Sequence, residues 1–307
     1  MSATSPAPGP TFLVIGAARS GTTLLAHVLA RHPDVFFTDP KEPHFLAFAG
    51  QTVDFAGPGD ADTINRYAVT DERRWRALFA PGARSRHRGE GSVTTLYYAP
   101  QAIESIRAHC PDVKLIALLR DPVDRAFSAY SYLVGRGWET ETFQRALELE
   151  EERRARHWHH LWHYTRMGFY SRQLAPFIEA FGRDRLLVIG YEDLVADPAA
   201  HLRRIFAFLD LDQHGIDELG AQVNVGGRPQ SRTMTRAMNW LRRHERTRAL
   251  VRTAVPFRLR EWVRRRNLER MELPGDTRPT LESLYAAERD ALVALLGDDA
   301  PSWAGPR

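Results

Sequence analysis

Short unbroken apolar runs alternate along the chain with longer stretches in which apolar side chains return every three or four residues. The runs Phe12–Ile15, Val35–Phe37, Lys114–Leu119 and Arg185–Ile189 predict buried strands, the third being the clearest. Ser92–Thr95 is a further strand candidate. The periodic stretches predict helices over 22–31, 43–49, 71–80, 100–109, 122–134, 142–157, 170–181, 198–209 and 281–296, with a weak one near 63–67. His32-Pro33 stops the first helix and Gly297 closes the last. Strands that are apolar throughout, separated by helices, predict an α/β fold: a parallel β-sheet flanked by helices on both faces, a three-layer sandwich. Residues 1–10, small residues and proline, predict a disordered tail. Gly226-Gly227-Arg228-Pro229 predicts a loop, and the strongly basic stretch 236–271 predicts mostly helix.

Composition narrows the class without naming a chemistry. With 307 residues, 43% hydrophobic and 26% charged, the chain is neither disordered nor fibrous. Two domains, or one large α/β domain with insertions, both fit that length. Cys110 is the only cysteine, so no intrachain disulfide forms and a reducing compartment is expected. No run approaches the ~18 apolar residues that span a bilayer. Met1–Pro10 lacks the basic and apolar parts of a secretory leader. A cytoplasmic protein with no membrane span is the expectation. The net charge is +4, and Lys41 and Lys114 are the only lysines among 42 basic side chains. Arginine grips phosphate, sulfate and carboxylate with a planar fork; codon bias in the source genome explains the same count.

Two segments carry candidate chemistry. Gly16-Ala17-Ala18-Arg19-Ser20-Gly21-Thr22-Thr23 lies between a predicted strand and a predicted helix. Small residues there let backbone N–H groups approach an anion, and the helix N-terminus adds unpaired donors. The spacing matches the start of a Walker A loop, but Thr22 stands where that loop needs lysine. The cation has moved inside the loop, to Arg19. The plain alternative is a tight glycine turn with a capping threonine. The second segment is Arg120-Asp121-Pro122, at the end of the clearest strand. Asp121 suits an N-cap and Pro122 the first helical position. Val123, Phe127, Tyr130 and Val134 fall on one face of the helix that follows; Asp121, Asp124, Arg125, Ser128 and Tyr132 fall on the opposite, polar face. A phosphate between Arg120 and Ser128 is within reach of both. A Walker B strand ends in an acid that manages magnesium, whereas this one ends in arginine. Alone, the segment also fits a salt-bridged surface helix.

Together these motifs resemble those of the sulfotransferase superfamily, whose donor is 3′-phosphoadenosine 5′-phosphosulfate (PAPS). Gly16–Thr23 resembles the 5′-phosphosulfate loop, and Arg120-Asp121-Pro122-x-x-Arg125-x-x-Ser128-x-Tyr130 the 3′-phosphate motif. Gly168-Phe169-Tyr170, Tyr191-Glu192-Asp193-Leu194 and Phe206–Asp210 fit further blocks, so the likeness runs from about residue 11 to 232. The resemblance implies a P-loop-kinase-like fold and one sulfotransferase domain over 11–307, with a basic helical region from about 233. It implies that Arg19, Ser20, Gly21, Thr22 and Thr23 hold the 5′ side of the donor and Arg120 and Ser128 its 3′-phosphate. Arg19 stands where the family often has a catalytic lysine. It keeps the charge but donates no proton.

Lys41-Glu42-Pro43-His44-Phe45 resembles the Lys-Glu-x-His-Phe-Phe block of carbohydrate sulfotransferases of the heparan type, in which the glutamate is the base. The expectation is Glu42 as general base, helped by a pKa raised through partial burial, with His44 as support or alternative. Lys41 steadies Glu42 or contacts the sulfonate in this reading. The plain alternative is a helix N-terminus with an acid in its first turn. In the family a basic loop folds over the donor, a place that Arg228 and Arg232 fill here. Trp138, Trp158 and Trp162 suit the core better than an acceptor wall. His157, His159, His160 and His163 lack the cysteine or carboxylate partners of a zinc site. Sulfuryl transfer needs no metal, and no nucleic-acid module is visible. The basic stretch 236–270 fits a solvated face with long arginine stems. The predicted activity is sulfuryl transfer from PAPS to an acceptor hydroxyl, on a glycan or a small molecule such as a secondary metabolite. A small-molecule kinase of the phosphate-loop type and a nucleotide-binding protein without catalysis are the alternatives; the acceptor and the oligomeric state are not set by the sequence.

Overall fold

A computed structural model describes residues 9–213, 215–216 and 271–305. Five strands, β1 (Phe12–Gly16), β2 (Val35–Phe37), β3 (His87–Glu90), β4 (Lys114–Leu119) and β5 (Leu186–Gly190), form one sheet in the order β2-β3-β1-β4-β5. Every neighbouring pair is parallel: Phe12 lies opposite both Gly89 and Lys114, and Leu119 opposite Gly190. Successive strand residues point to opposite faces, and here both faces are covered. Leu13, Ile15, Leu115, Ala117, Leu119, Leu186 and Val188 meet the helices Ala99–His109, Tyr170–Phe181 and Thr277–Leu296 on one side. Phe12, Val14, Ile116, Leu118 and Ile189 meet Thr22–Leu29 and Pro198–Phe208 on the other. That double cover is why the strands are apolar without alternation.

The strand expected at Ser92–Thr95 lies earlier, at β3. Its sequence, His-Arg-Gly-Glu, has no apolar side chain for a pattern to register. Its neighbours supply the apolar cover instead: a Cβ on Gly89 would meet the Phe12 ring at 2.3 Å and the Phe37 ring at 2.8 Å. The helix expected over 142–157 is two, Phe143–Glu148 and Glu150–Ala155. The helix Pro122–Arg136 buries Ala126, Ala129 and Leu133 as well as Val123 and Tyr130, and also Arg125, which was expected on its polar face. This helix is covered on more than one side, because Trp162, Tyr164, Leu281 and Tyr285 share its core cluster. A guanidinium group of Arg125 there donates to the Tyr164 carbonyl oxygen and lies 3.8 Å from Met167 Sδ.

The chain leaves the end of β1 toward β2, on one side of the sheet, and leaves the end of β4 toward β5, on the other. β1 and β4 are adjacent, so their diverging connections open a crevice at the carboxyl ends of the strands. That is the ligand position of open α/β sheets. Both phosphate segments of the sequence start there. Among the described residues, no helix is long and apolar enough to cross a membrane. Residues 1–8 of the expected tail, the loop with Arg228 and Arg232, and the basic stretch 236–270 lie outside the described residues.

Candidate active site

The loop after β1 is fastened to β4 by the Ala17 N–H, which donates to the Leu118 carbonyl oxygen at 2.7 Å. It then turns tightly. Gly21 has φ +85°, and a Cβ there would stand 2.6 Å from the Tyr191 ring. Arg19 has φ +67°, a left-handed conformation that is rare for a residue with a side chain and costs about 1–3 kcal/mol. The turn sends Arg19 outward and Ser20 inward. Ser20 is fully buried, and its Oγ has no hydrogen-bond partner. Thr22 is buried and opens the helix Thr22–Leu29, while Thr23 is exposed.

Arg120 approaches this loop from the end of β4. Its Nη1 donates to the Arg19 carbonyl oxygen at 3.3 Å, and its guanidinium lies 5.3 Å from the centre of the Tyr191 ring. Its Nε makes no hydrogen bond, although Glu192 Oε1 lies 3.9 Å away. Asp121 caps the next helix, accepting from the N–H groups of Val123 at 2.9 Å and Asp124 at 3.3 Å. From the helix Thr277–Leu296, Arg289 donates to Asp121 at 2.8 Å and Arg278 to Asp124 at 2.6 Å. On the first helix after β4, Ser128 Oγ accepts from Arg19 Nε at 3.3 Å. Arg19 also lies 4.6 Å from the Tyr132 ring centre. The structure therefore joins the two segments into one site: Arg19, Ser20, Gly21, Thr22, Arg120 and Ser128 surround the crevice between β1 and β4.

The unpartnered donors decide what suits this crevice. A buried hydroxyl with no partner and a buried guanidinium N–H with no acceptor are costly in a folded protein. Beside them lie a helix N-terminus and the Arg19 guanidinium. The set is rich in donors and short of acceptors, which fits a ligand carrying several anionic oxygens. The Glu192 carboxylate lies close to Arg120. Burial pushes its pKa up to about 7, against the pull of Arg120.

The Lys41–His44 block closes the third side. Phe45 is buried and stacks on Trp75 at 4.5 Å, which anchors the block to the core. The backbone is pinned at two points: Gly91 N–H donates to the Lys41 carbonyl oxygen at 3.1 Å, and His44 N–H to Ser92 Oγ at 3.0 Å. Ser92 donates in turn to Glu90 at 2.8 Å, and Trp75 Nε1 donates to the other Glu90 oxygen at 2.6 Å. Glu90 is 1% exposed, and burial pushes its pKa up to about 7. The Glu42 side chain is 30% exposed and accepts from Lys41 Nζ at 2.6 Å. The same ammonium donates to Thr22 Oγ1 at 3.2 Å, so the block is tied to the phosphate loop.

The ionisation of Glu42 differs from the expectation. Burial raises its pKa, but the charge and hydrogen bond of Lys41, with lesser electrostatic effects of His44 and Arg19, outweigh burial, so the net shift is downward. Glu42 is an ionised carboxylate at neutral pH, available to accept a proton. Burial lowers the His44 pKa to about 4, against the raising effect of Glu42, so its imidazole is neutral. His44 Nδ1 lies 3.0 Å from Thr94 Oγ1. Two of the nearby histidines have polar neighbours of their own. His159 lies 2.7 Å from Asp60, and His163 bridges the Tyr97 hydroxyl at 2.6 Å and the Trp158 carbonyl oxygen at 3.0 Å. Trp162 is fully buried in the core.

Residues 10–215 match the Sulfotransferase family. The chain belongs to that family. Among curated sulfotransferases it is 29% identical to the heparan sulfate glucosamine 3-O-sulfotransferase 3A1 of Mus musculus, over 66% of this chain and 46% of that one. It is 26% identical to the Mus musculus carbohydrate sulfotransferase 15, over 66% of this chain and 44% of that one. The chain thus spans about half the length of the curated relatives that it matches. Among solved structures, a sulfotransferase from Alicyclobacillus acidocaldarius superposes with a TM-score of 0.72 at 31% identity, covering 94% of this chain and 96% of that chain. For a sulfotransferase, several parts of this site were hard to find from sequence. Glu192 lay inside a recognised block, but its approach to Arg120 was not visible. The hydrogen bonds of Trp75 to Glu90 and of His44 to Ser92, the Arg278 and Arg289 ties and the Lys41–Thr22 hydrogen bond join residues distant in sequence, and no local pattern marks them.

Proposed function

We propose that this protein, a single catalytic unit from about residue 11, transfers a sulfuryl group from PAPS to an acceptor hydroxyl on a carbohydrate or secondary metabolite. The observation that carries this is the meeting of the two phosphate segments around unpartnered donors, with the Glu42 carboxylate one lysine away. The loop and Ser20, Thr22 and Thr23 hold the 5′-phosphate, and Arg120 and Ser128 the 3′-phosphate. Glu42 accepts the hydroxyl proton, with His44 orienting the acceptor. The acceptor oxygen forms a bond to sulfur as the sulfur–phosphate oxygen bond breaks, and the electron pair stays on the phosphate. Arg19 and the loop N–H groups stabilise that developing charge. A kinase of the phosphate-loop type would need lysine after Gly21 and an acid after β4, and Thr22 and Arg120 stand there. The single cysteine, buried at Cys110, suits a reducing, cytoplasmic setting.

The test is transfer of radiolabelled sulfate from PAPS, without added metal, to a panel of unsulfated polysaccharides, phenols and alcohols. The proposal expects a labelled acceptor, with transfer lost in Glu42→Gln. Absence of label together with phosphoryl transfer from magnesium-ATP overturns it.

A further inference from the structure

We propose that Lys41 is a catalytic residue, its ammonium holding the oxygens of the sulfuryl group while that group passes from donor to acceptor. The inference rests on the sulfotransferase reading and goes beyond it, since that reading places the work of the leaving side on Arg19 and the loop. In an in-line displacement the sulfur lies between the leaving oxygen and the attacking oxygen. The leaving side is held by the loop that contains Thr22, and the attacking side is served by Glu42. Lys41 Nζ is within hydrogen-bond distance of both, 3.2 Å from Thr22 Oγ1 and 2.6 Å from Glu42 Oε1. A cation that touches both ends of the line stands beside its middle. An ammonium has three N–H bonds; two go to these partners, and the third is directed by neither.

Arg19 does not occupy that place. Its Nε donates to Ser128 Oγ and its guanidinium lies on the Tyr132 ring, both on the helix that follows β4, which leaves it beside the leaving phosphate. Its planar fork also stays charged at any working pH. Lys41 is compact, and room is kept for it: a Cβ on Gly91 would lie 3.2 Å from Lys41 Cε and 3.1 Å from the Phe37 ring. The Gly91 N–H fixes the Lys41 backbone as well. The other lysine, Lys114, begins β4, far from the crevice, and binds the Phe208 carbonyl oxygen and Asp210. In the step itself Lys41 stays protonated. Glu42 gains the acceptor proton, the new sulfur–oxygen bond forms, and the old one breaks onto phosphate. Lys41 neutralises the negative charge spread over the non-bridging sulfuryl oxygens.

Calorimetric titration of wild type, Lys41→Gln and Lys41→Arg with PAPS and with adenosine 3′,5′-bisphosphate tests this, because only PAPS carries the sulfuryl group. Hydrolysis of PAPS by water, measured as release of the bisphosphate, supplies a rate without an identified acceptor. Lys41→Gln is expected to weaken PAPS about tenfold, to leave the bisphosphate within about twofold, and to slow hydrolysis on the order of 10²-fold. Lys41→Arg is expected to recover most of the PAPS affinity. Equal losses for both nucleotides, or no loss for either, overturn the role of Lys41 while leaving the sulfotransferase reading intact. Failure of the wild type to bind either nucleotide overturns that reading and the inference with it. Should Lys41→Gln fail to fold, Lys41→Met supplies the neutral comparison.

Discussion

Glu42 lies under opposing influences: burial favours its proton, while Lys41 and the neighbouring cations favour its charge and prevail. A base that is already ionised at neutral pH needs no deprotonation step, at the cost of a weaker pull on the acceptor proton. Glu42→Gln is expected to cut turnover by about 10²–10⁴-fold with bisphosphate affinity unchanged; retained turnover would remove Glu42 from the mechanism. Glu90, buried beneath the same block, behaves in the opposite sense. Its folded pKa of about 7 lies above the ordinary 4.5. The unfolded chain therefore loses this proton first as pH rises. The contribution of Glu90 to stability is whole below pH 4.5 and is lost toward and through about 7. Glu90→Gln keeps a neutral side chain of the same shape and is expected to flatten the fall of melting temperature between those values; an unchanged slope would assign the pH dependence elsewhere. At this scale the sequence was legible where local chemistry is written in order, as in Gly16–Thr23 and Lys41–His44. The protonation of Glu42 was not, because it depends on Lys41 and Arg19 as placed by the fold.

Helix ends do much of the positioning. Asp121 caps the helix Pro122–Arg136 through two backbone N–H groups and also receives Arg289 from the final helix. Asp121→Ala removes a cap worth about 1 kcal/mol and leaves a buried guanidinium without its carboxylate. The expected result is a lower melting temperature together with weaker binding of the bisphosphate, since Arg120 is the adjoining residue. A loss of stability with unchanged binding would separate the cap from the phosphate site. Gly21→Ala is expected to abolish donor binding, because its φ of +85° and the Tyr191 ring leave no room for a methyl group; normal affinity in that variant would show that the loop is not the phosphate cradle. The cap and the glycine turn were readable from residue type. β3 was not, because Phe12 and Phe37 from neighbouring strands cover its glycine. Neither was the break at Leu149 in the expected long helix, whose charged sequence is uniform across it.

The whole molecule follows from strand order. Unbroken apolar strands alternating with helices point to a doubly covered parallel sheet, and that was legible. The order β2-β3-β1-β4-β5 was not, since strand pairing is long-range. Yet the order is what brings Gly16–Thr23 beside Arg120–Ser128, at the crevice between β1 and β4. The account's central claim is that this crevice holds a nucleotide with phosphates at both the 5′ and 3′ positions. Calorimetric titration of the purified protein with adenosine 3′,5′-bisphosphate without metal, beside adenosine 5′-monophosphate and magnesium-ATP, tests it most directly. The account predicts tight binding of the bisphosphate and much weaker binding of the other two. Equal affinity for the monophosphate, or preference for magnesium-ATP, would contradict it.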